Sequence, residues 1–330
     1  MAKYIFKRIL WMIPTILGVI LIVFCISYFA PGDPIVTMLG TSGYTEEEYL
    51  ALQHEFGLDQ PFLVQYINYI ADVFLRGDFG TSYAYRNSIS SAIFQAAPYS
   101  LKLGILSILL MVIIALPAGI ISAVKQYSAL DNVITVVSMF FAGMPNFWFA
   151  VLLVLFFSVN LKIFPASYMV SSATWKSWVL PVVSLSLTSM ASVLRMTRSS
   201  VLEVIRQDYI RTARAKGISE RKVITGHVLK NALIPVLTVV GMQLGSIIGG
   251  SVVIETIFNM PGIGNYMMSA ISNRDYPAIN GCVLVLSISI CVVNLIVDVL
   301  YAYVDPRIKA QYESQQKVHA KRRKKAEVAS

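Results

Sequence analysis

Six stretches of this chain are long and apolar enough to cross a bilayer, and that constraint removes most folds at once. They run from about Ile9 to Ala30, Tyr99 to Val124, Val133 to Val159, Trp178 to Leu194, Leu233 to Phe258 and Ala278 to Val304. At about 1.5 Å of rise per residue, roughly 17 to 25 residues span the hydrocarbon. Lipid offers no partner to a backbone N–H or C=O, so each run is expected to be a helix and the chain an all-α polytopic membrane protein with six transmembrane helices. Composition agrees. Hydrophobic residues make up 56% and charged residues 14%, more apolar side chain than a 330-residue water-soluble globule hides.

The net charge of +9 is spread between and after the apolar runs, not gathered on one soluble face, which argues against nucleic-acid binding. Cys25, Cys282 and Cys291 lie inside apolar runs, where a thiol behaves as a small hydrophobe and sets up no disulfide framework. His54, His227 and His319 are far apart and have no neighbour at ligand spacing, so no metal site, cofactor site or catalytic residue is expected. The first run is read as an uncleaved span, because Tyr28-Phe29-Ala30 lacks a small-x-small cleavage pattern.

Six spans place both termini on one side, and the basic residues say which. On the terminal side lie twenty-one Lys and Arg, against six on the other: Arg76, Arg86, Lys102, Lys162, Lys176 and Arg274. Both termini are therefore expected to be cytoplasmic. The expected organisation is an N-terminal end and first span (1–30), an extracytoplasmic segment (31–98), a five-span core (99–305) and a basic tail (306–330). In the extracytoplasmic segment, Thr45 before Glu46, Glu47 and Glu48 reads as a helix start, and Phe62, Tyr66, Tyr69, Ile70 and Val73 as an amphipathic helix. The tail's Lys321-Arg322-Arg323-Lys324-Lys325 suits a solvated segment drawn to anionic lipid.

Several side chains mean something only inside a bilayer. Gly241, Gly245 and Gly249 share one helical face, either a close packing surface or the wall of a passage. Ser184, Thr188 and Ser192 form a hydroxyl stripe open to the same two readings. Glu255 near the outer end of the fifth span is expected to snorkel to the interface. Asp298 near the end of the sixth is expected to pair with Arg195 or Arg198 of the fourth, which lie at matching depth. Met260-Pro261-Gly262-Ile263-Gly264 stops the fifth span.

The long basic interruption between the fourth and fifth spans, residues 199–232, carries its own chemistry. Asp208 can cap a helix through Ile210, Ala213 and Ala215, whose alanines leave a flat face for a partner's groove. Gly217 ends it, and Ser219 can cap a second helix with Val223, Ile224, Val228 and Leu229 on its apolar face. Long ordered loops are usually functional, and this one reads as a docking element.

These residues resemble the cytoplasmic loop of binding-protein-dependent ABC importer permeases, within them the B-type permease of the oligopeptide, dipeptide and nickel importers. The stretches that carry the resemblance are FGLDQPFLVQY (56–66), RGDFGTS (76–82), QDYIRTARAKG (207–217), NALIP (231–235), ETIFNMPGIG (255–264), NRDYP (273–277) and VDPRI (304–308). The resemblance implies a type I ABC importer permease fold. It also implies an ATPase-coupling loop involving Asp208, Tyr209, Arg211, Thr212, Ala213, Ala215, Lys216 and Gly217, with Glu220 beyond the turn. One departure stands out. The family signature usually opens Glu-Ala-Ala, where this chain has Arg211-Thr212-Ala213, so Asp208 or Glu220 would have to supply the carboxylate.

The partners implied are a second, homologous permease subunit forming a heterodimer, two cytoplasmic ATP-binding subunits, an extracytoplasmic solute-binding protein and the lipid bilayer. The chain has no G-x-x-x-x-G-K-[ST] phosphate loop, so the ATPase is expected on other subunits and this one is not expected to be an enzyme. An ion-driven secondary transporter would need a buried carboxylate relay and inverted repeats with broken helices, and a membrane enzyme a cluster of reactive groups at one depth; the sequence offers neither. Oligopeptide, dipeptide, nickel and other small solutes stay open.

Overall fold

A computed structural model describes residues 2–39 and 43–304, and among these the chain is helical, with a single isolated β-bridge between Thr81 and Ser88. The basic tail and the end of VDPRI lie outside the described residues. Thirteen α-helices follow in order: α1 Ala2–Phe29, α2 Pro34–Leu39, α3 Glu46–Glu55, α4 Phe62–Ala71, α5 Ile89–Val124, α6 Ala129–Gly143, α7 Asn146–Leu153, α8 Lys176–Ile205, α9 Asp208–Ala215, α10 Glu220–Lys222, α11 Leu229–Ile257, α12 Ile263–Ser272 and α13 Tyr276–Val304.

Helices α1, α5, α8, α13 and the continuous run from α10 through α11 each suffice to cross a membrane. The third expected span departs from a straight helix. α6 and the helix begun by α7, which continues to Asn160, meet at 103°. Pro145 lacks an N–H to continue α6 and drives the residue before it out of the helical region, and Met144 is extended at φ −89°, ψ 127°. Gly143-Met144-Pro145 carried that signal inside an otherwise unbroken apolar run.

α8 is the axis of the bundle. Its most apolar stretch is 67% buried, against 6% for those of α1 and α13. Leu103, Met111, Leu185, Leu194, Ile247 and Ile254 form the principal core where α5, α8 and α11 meet. α8 also has the least apolar sequence of the spans, which burial tolerates because its hydroxyls bond back to its own carbonyls: Ser184 to Pro181, Thr188 to Ser184 and Thr197 to Val193.

The connections sort to two ends. At one end Ile89, Ile93, Ile263 and Ala278 pack together, with the small helices α2 to α4 nearby; we call this the lobe end. Here Thr45 caps α3 in a reciprocal box with Glu48, as the acidic run predicts. α4 lies along α1, with Phe62 against Phe24 and the Tyr66 hydroxyl donating to the Leu17 carbonyl. At the other end Ala123, Val201, Ile210 and Val228 form a separate cluster beneath α9. α1 begins and α13 finishes at this loop end, where Arg8 meets Asp298.

Candidate functional site

The loop end carries a hairpin of unusual construction. α9 buries Ile210 completely and Ala213 nearly so, against Ala123 of α5 and Val201 of α8. Its other face, Asp208, Tyr209, Arg211, Thr212, Ala215 and Lys216, is exposed. The alanines therefore do not act together as the sequence pattern suggests: Ala215 lies on the open face, while Ala213 seats the helix on the bundle. Small size at 213 lets α9 lie close to the spans, so motion of one is passed to the other.

Neither expected cap forms. Gln207, not Asp208, holds the N-cap position of α9, and Ser219 precedes α10 without a side-chain cap bond. Asp208 sits instead in the first turn, where a carboxylate faces the positive end of the helix. Gly217 turns the chain at φ +78°, a left-handed conformation that side chains rarely adopt. Across that turn Arg214 grips Glu220 with two bonds, Nε to Oε2 at 3.0 Å and Nη2 to Oε1 at 2.6 Å. The pairing holds the Arg214 guanidinium above its ordinary pKa. Glu220 thus supplies a carboxylate that locks the two limbs, and Asn231 fastens the far limb to the Tyr209 hydroxyl at 3.0 Å.

One turn deeper is a joint that the sequence reading overlooked. Asp131, 2% exposed in the first turn of α6, receives Arg198 of α8 bidentately, at 2.9 and 2.8 Å. The Ser122 hydroxyl of α5 and the Tyr127 backbone N–H donate to the same carboxylate. The residue precedes the apolar run and its partner is 67 positions away, so only the N-cap pattern Ser128-x-x-Asp131 marks it locally.

Asp298 does not pair with Arg195. It meets Arg8 of α1 at 3.0 Å, because α13 packs beside α1 and not beside the loop end of α8. Arg195 is exposed, and Arg198 is engaged by Asp131.

The expected pathway residues divide. Ser184 is fully buried, Thr188 half-buried and Ser192 exposed, so only the end of the hydroxyl stripe nearer the loop is open. Gly241 is buried, and a Cβ there would collide with Val297 of α13, so packing explains it. Gly245 is looser, and Gly249 is exposed with open space before it.

The lobe end is held by carboxylates of another kind. Glu255 is fully buried, not snorkelling. It accepts from the Gly264 and Asn265 backbone N–H groups at 2.7 and 3.3 Å and so caps the start of α12. Gly264 is required there, since a Cβ would strike the Val252 backbone. Asp275, also fully buried, accepts from the Ser82 hydroxyl at 2.5 Å and from the Tyr83, Ala84 and Ala278 N–H groups. RGDFGTS and NRDYP are therefore two halves of one joint. Burial, and then this carboxylate, push the Tyr83 phenol well above its ordinary range.

Comparison with known proteins agrees along most of the chain. Residues 115–310 match the model of the binding-protein-dependent transport system inner membrane component family, and residues 1–104 match the N-terminal region of such membrane components. The chain is 36% identical over 337 residues to the dipeptide transport system permease protein DppB of Escherichia coli (strain K12), covering 94% of this chain and 99% of that protein. It is 40% identical to the oligopeptide transport system permease protein AppB of Bacillus subtilis (strain 168), covering 94% and 100%. The glutathione transport system permease protein GsiC of Salmonella choleraesuis is 39% identical, at 94% and 99% coverage. Among solved structures, the inward-facing MetNI methionine ABC transporter shares the fold, with a TM-score of 0.56 at 17% identity over 65% of this chain and 97% of that one.

Proposed function

Because this chain belongs to the binding-protein-dependent transport system inner membrane component family, and is a multi-pass membrane permease subunit with the type I ABC importer fold, we propose that it forms half of an ATP-driven import pathway for peptides. Dipeptide, oligopeptide and glutathione permeases among its relatives support peptides over nickel as the cargo.

One observation supports the coupling role above all: α9 is rooted in the bundle by Ile210 and Ala213, while its polar face is left to solvent. An element rigid towards the membrane and open away from it transmits force from a soluble partner. That partner is a cytoplasmic ATPase, one of two, with a second permease completing the pathway and a binding protein delivering the peptide. The basic residues favour the loop end, including both termini, on the cytoplasmic side. ATP binding then closes the ATPases, α9 moves with the subunit it grips, and the spans pass between inward- and outward-facing states.

Cysteines replacing Thr212 or Ala215, both exposed, are expected to cross-link to an ATPase subunit with a yield that changes with nucleotide, while the transporter accumulates a labelled dipeptide in vesicles. A chain that forms no cross-link from either position sinks the docking; uptake of nickel chelate but no peptide sinks the cargo.

A further inference from the structure

We infer that the Asp131–Arg198 joint is the link through which the coupling hairpin moves the broken third span, with both residues acting as positioning residues for transport. The inference rests on the docking proposed above and concerns what happens after docking.

Position makes the first argument. Arg198 stands seven residues before the end of α8 at Ile205, and α9 begins three residues after that end. α8 and α9 share the buried cluster of Val201, Ile210 and Ala213, with the partly buried Ile205 packed against it, so a push on α9 reaches Arg198 through packed side chains. On the other side, Asp131 lies in the first turn of α6, which runs as one helix to the break at Met144-Pro145. Beyond the break α7 reaches α11, where a Cβ on Gly250 would crowd the Asn146 amide. α6 is therefore a lever with the joint at its loop end and a 103° bend, set against α11, at the other.

Chemistry makes the second. A buried ion pair is a poor way to gain stability, since removing two charges from water offsets most of the attraction, and an apolar pair of similar size often holds a fold as well. What it does supply is register. The guanidinium and carboxylate engage through two parallel bonds, so a slide of α6 along α8 by one turn breaks both at once. The Ser122 hydroxyl and Tyr127 N–H bring the end of α5 and the short 125–128 connection into the same joint. Three spans are thus fixed to one another within two turns of the hairpin, and by a carboxylate that is almost wholly buried.

The test uses the complete transporter, this chain with its partner permease and ATPases, in vesicles supplied with peptide-loaded binding protein. The variants are D131N, R198Q, the double variant D131N/R198Q, which leaves no orphaned buried charge, and the reversed pair D131R/R198D. All are expected to retain the ATPases and to hydrolyse ATP. Peptide moved per ATP is expected to fall about tenfold in the two single variants and in the neutral double, within the span of ordinary coupling between sites. The reversed pair is expected to recover only part of it, since an arginine at 131 accepts from neither the Ser122 hydroxyl nor the Tyr127 N–H. Wild-type peptide per ATP in the neutral double variant overturns the inference, as does a single variant that loses its ATPases, since the joint would then serve docking alone. A wild-type chain that carries no ATPase overturns the docking reading itself, and this inference with it.

Discussion

The two ends of the molecule hold their fully buried carboxylates in different ways. At the loop end the buried Asp131 is met by Arg198 and the half-buried Asp298 by Arg8, each from another element, while in the hairpin the exposed Glu220 is met by Arg214. At the lobe end Asp275 and Glu255 face backbone N–H groups and hydroxyls, and no ion pair holds either among the described residues. A cage of amides fixes a carboxylate to the course of the main chain, so the joint cannot slide without unfolding. An arginine on a flexible stem can follow a moving partner or exchange it. The lobe end is built as an anchor and the loop end as a set of joints.

The largest test of that contrast is Asp275→Ala. It strips one hydroxyl and three backbone N–H groups of a fully buried acceptor. Leaving buried donors unpaired costs about 1–3 kcal/mol each, so losing the acceptor of four of them is expected to cost about 4 kcal/mol or more. Thermal unfolding of the detergent-solubilised protein should fall accordingly, with proteolysis opening first near residues 76–84. A melting point within a degree or two of wild type would mean the lobe end is no anchor, and the contrast fails.

Gly217→Val is the opposite case. No neighbouring atom lies within 4 Å of a Cβ built there, so the change crowds nothing, but φ of +78° is strained for a β-branched residue, at a cost of about 1–3 kcal/mol confined to an exposed turn. The turn is expected to relax and shift α9 against its partner. Insertion and melting should stay close to wild type while ATP-driven uptake falls several-fold. Uptake unchanged would place the hairpin outside the coupling path.

The elements legible in the sequence share one property: their signal is local. Apolar runs, the Thr45 box and the glycine turn at 217 are each written within a few residues. What failed was written at long range. Asp298 and Arg195 are at matching depth, but depth says nothing about which helices are neighbours, and α13 lies beside α1. Asp131 and Asp275 stand just outside apolar runs and carry no local sign of their roles, because their partners lie 67 and 193 positions away. Glu255 reads locally as a snorkelling side chain because the turn after it, which supplies its amides, gives in sequence only a stop signal. At the hairpin, the residue pattern announces a short helix in outline, yet the sides of Ala213 and Ala215 depend on how α9 is rolled on the bundle. A helix of eight residues with two apolar anchors leaves that undetermined.

The smallest expected effect sharpens the contrast most. Arg214→Ala removes the bond across the Gly217 turn, but both partners are substantially exposed, with side-chain accessibilities of 39% and 53%. Such pairs contribute less than about 1 kcal/mol, so the melting point should not move measurably. Docking is another matter, since the pair sets the angle between the two limbs and keeps the Glu220 carboxylate in the region where the usual glutamate is missing. Cross-linking from Thr212 to the ATPase should fall by no more than about threefold, and the difference from wild type should vanish near 1 M salt, where screening acts within about 3 Å. A loss as large as that of Gly217→Val would shift the weight from the turn to the ion pair, and the loop end would then be organised by its charges even where water reaches them.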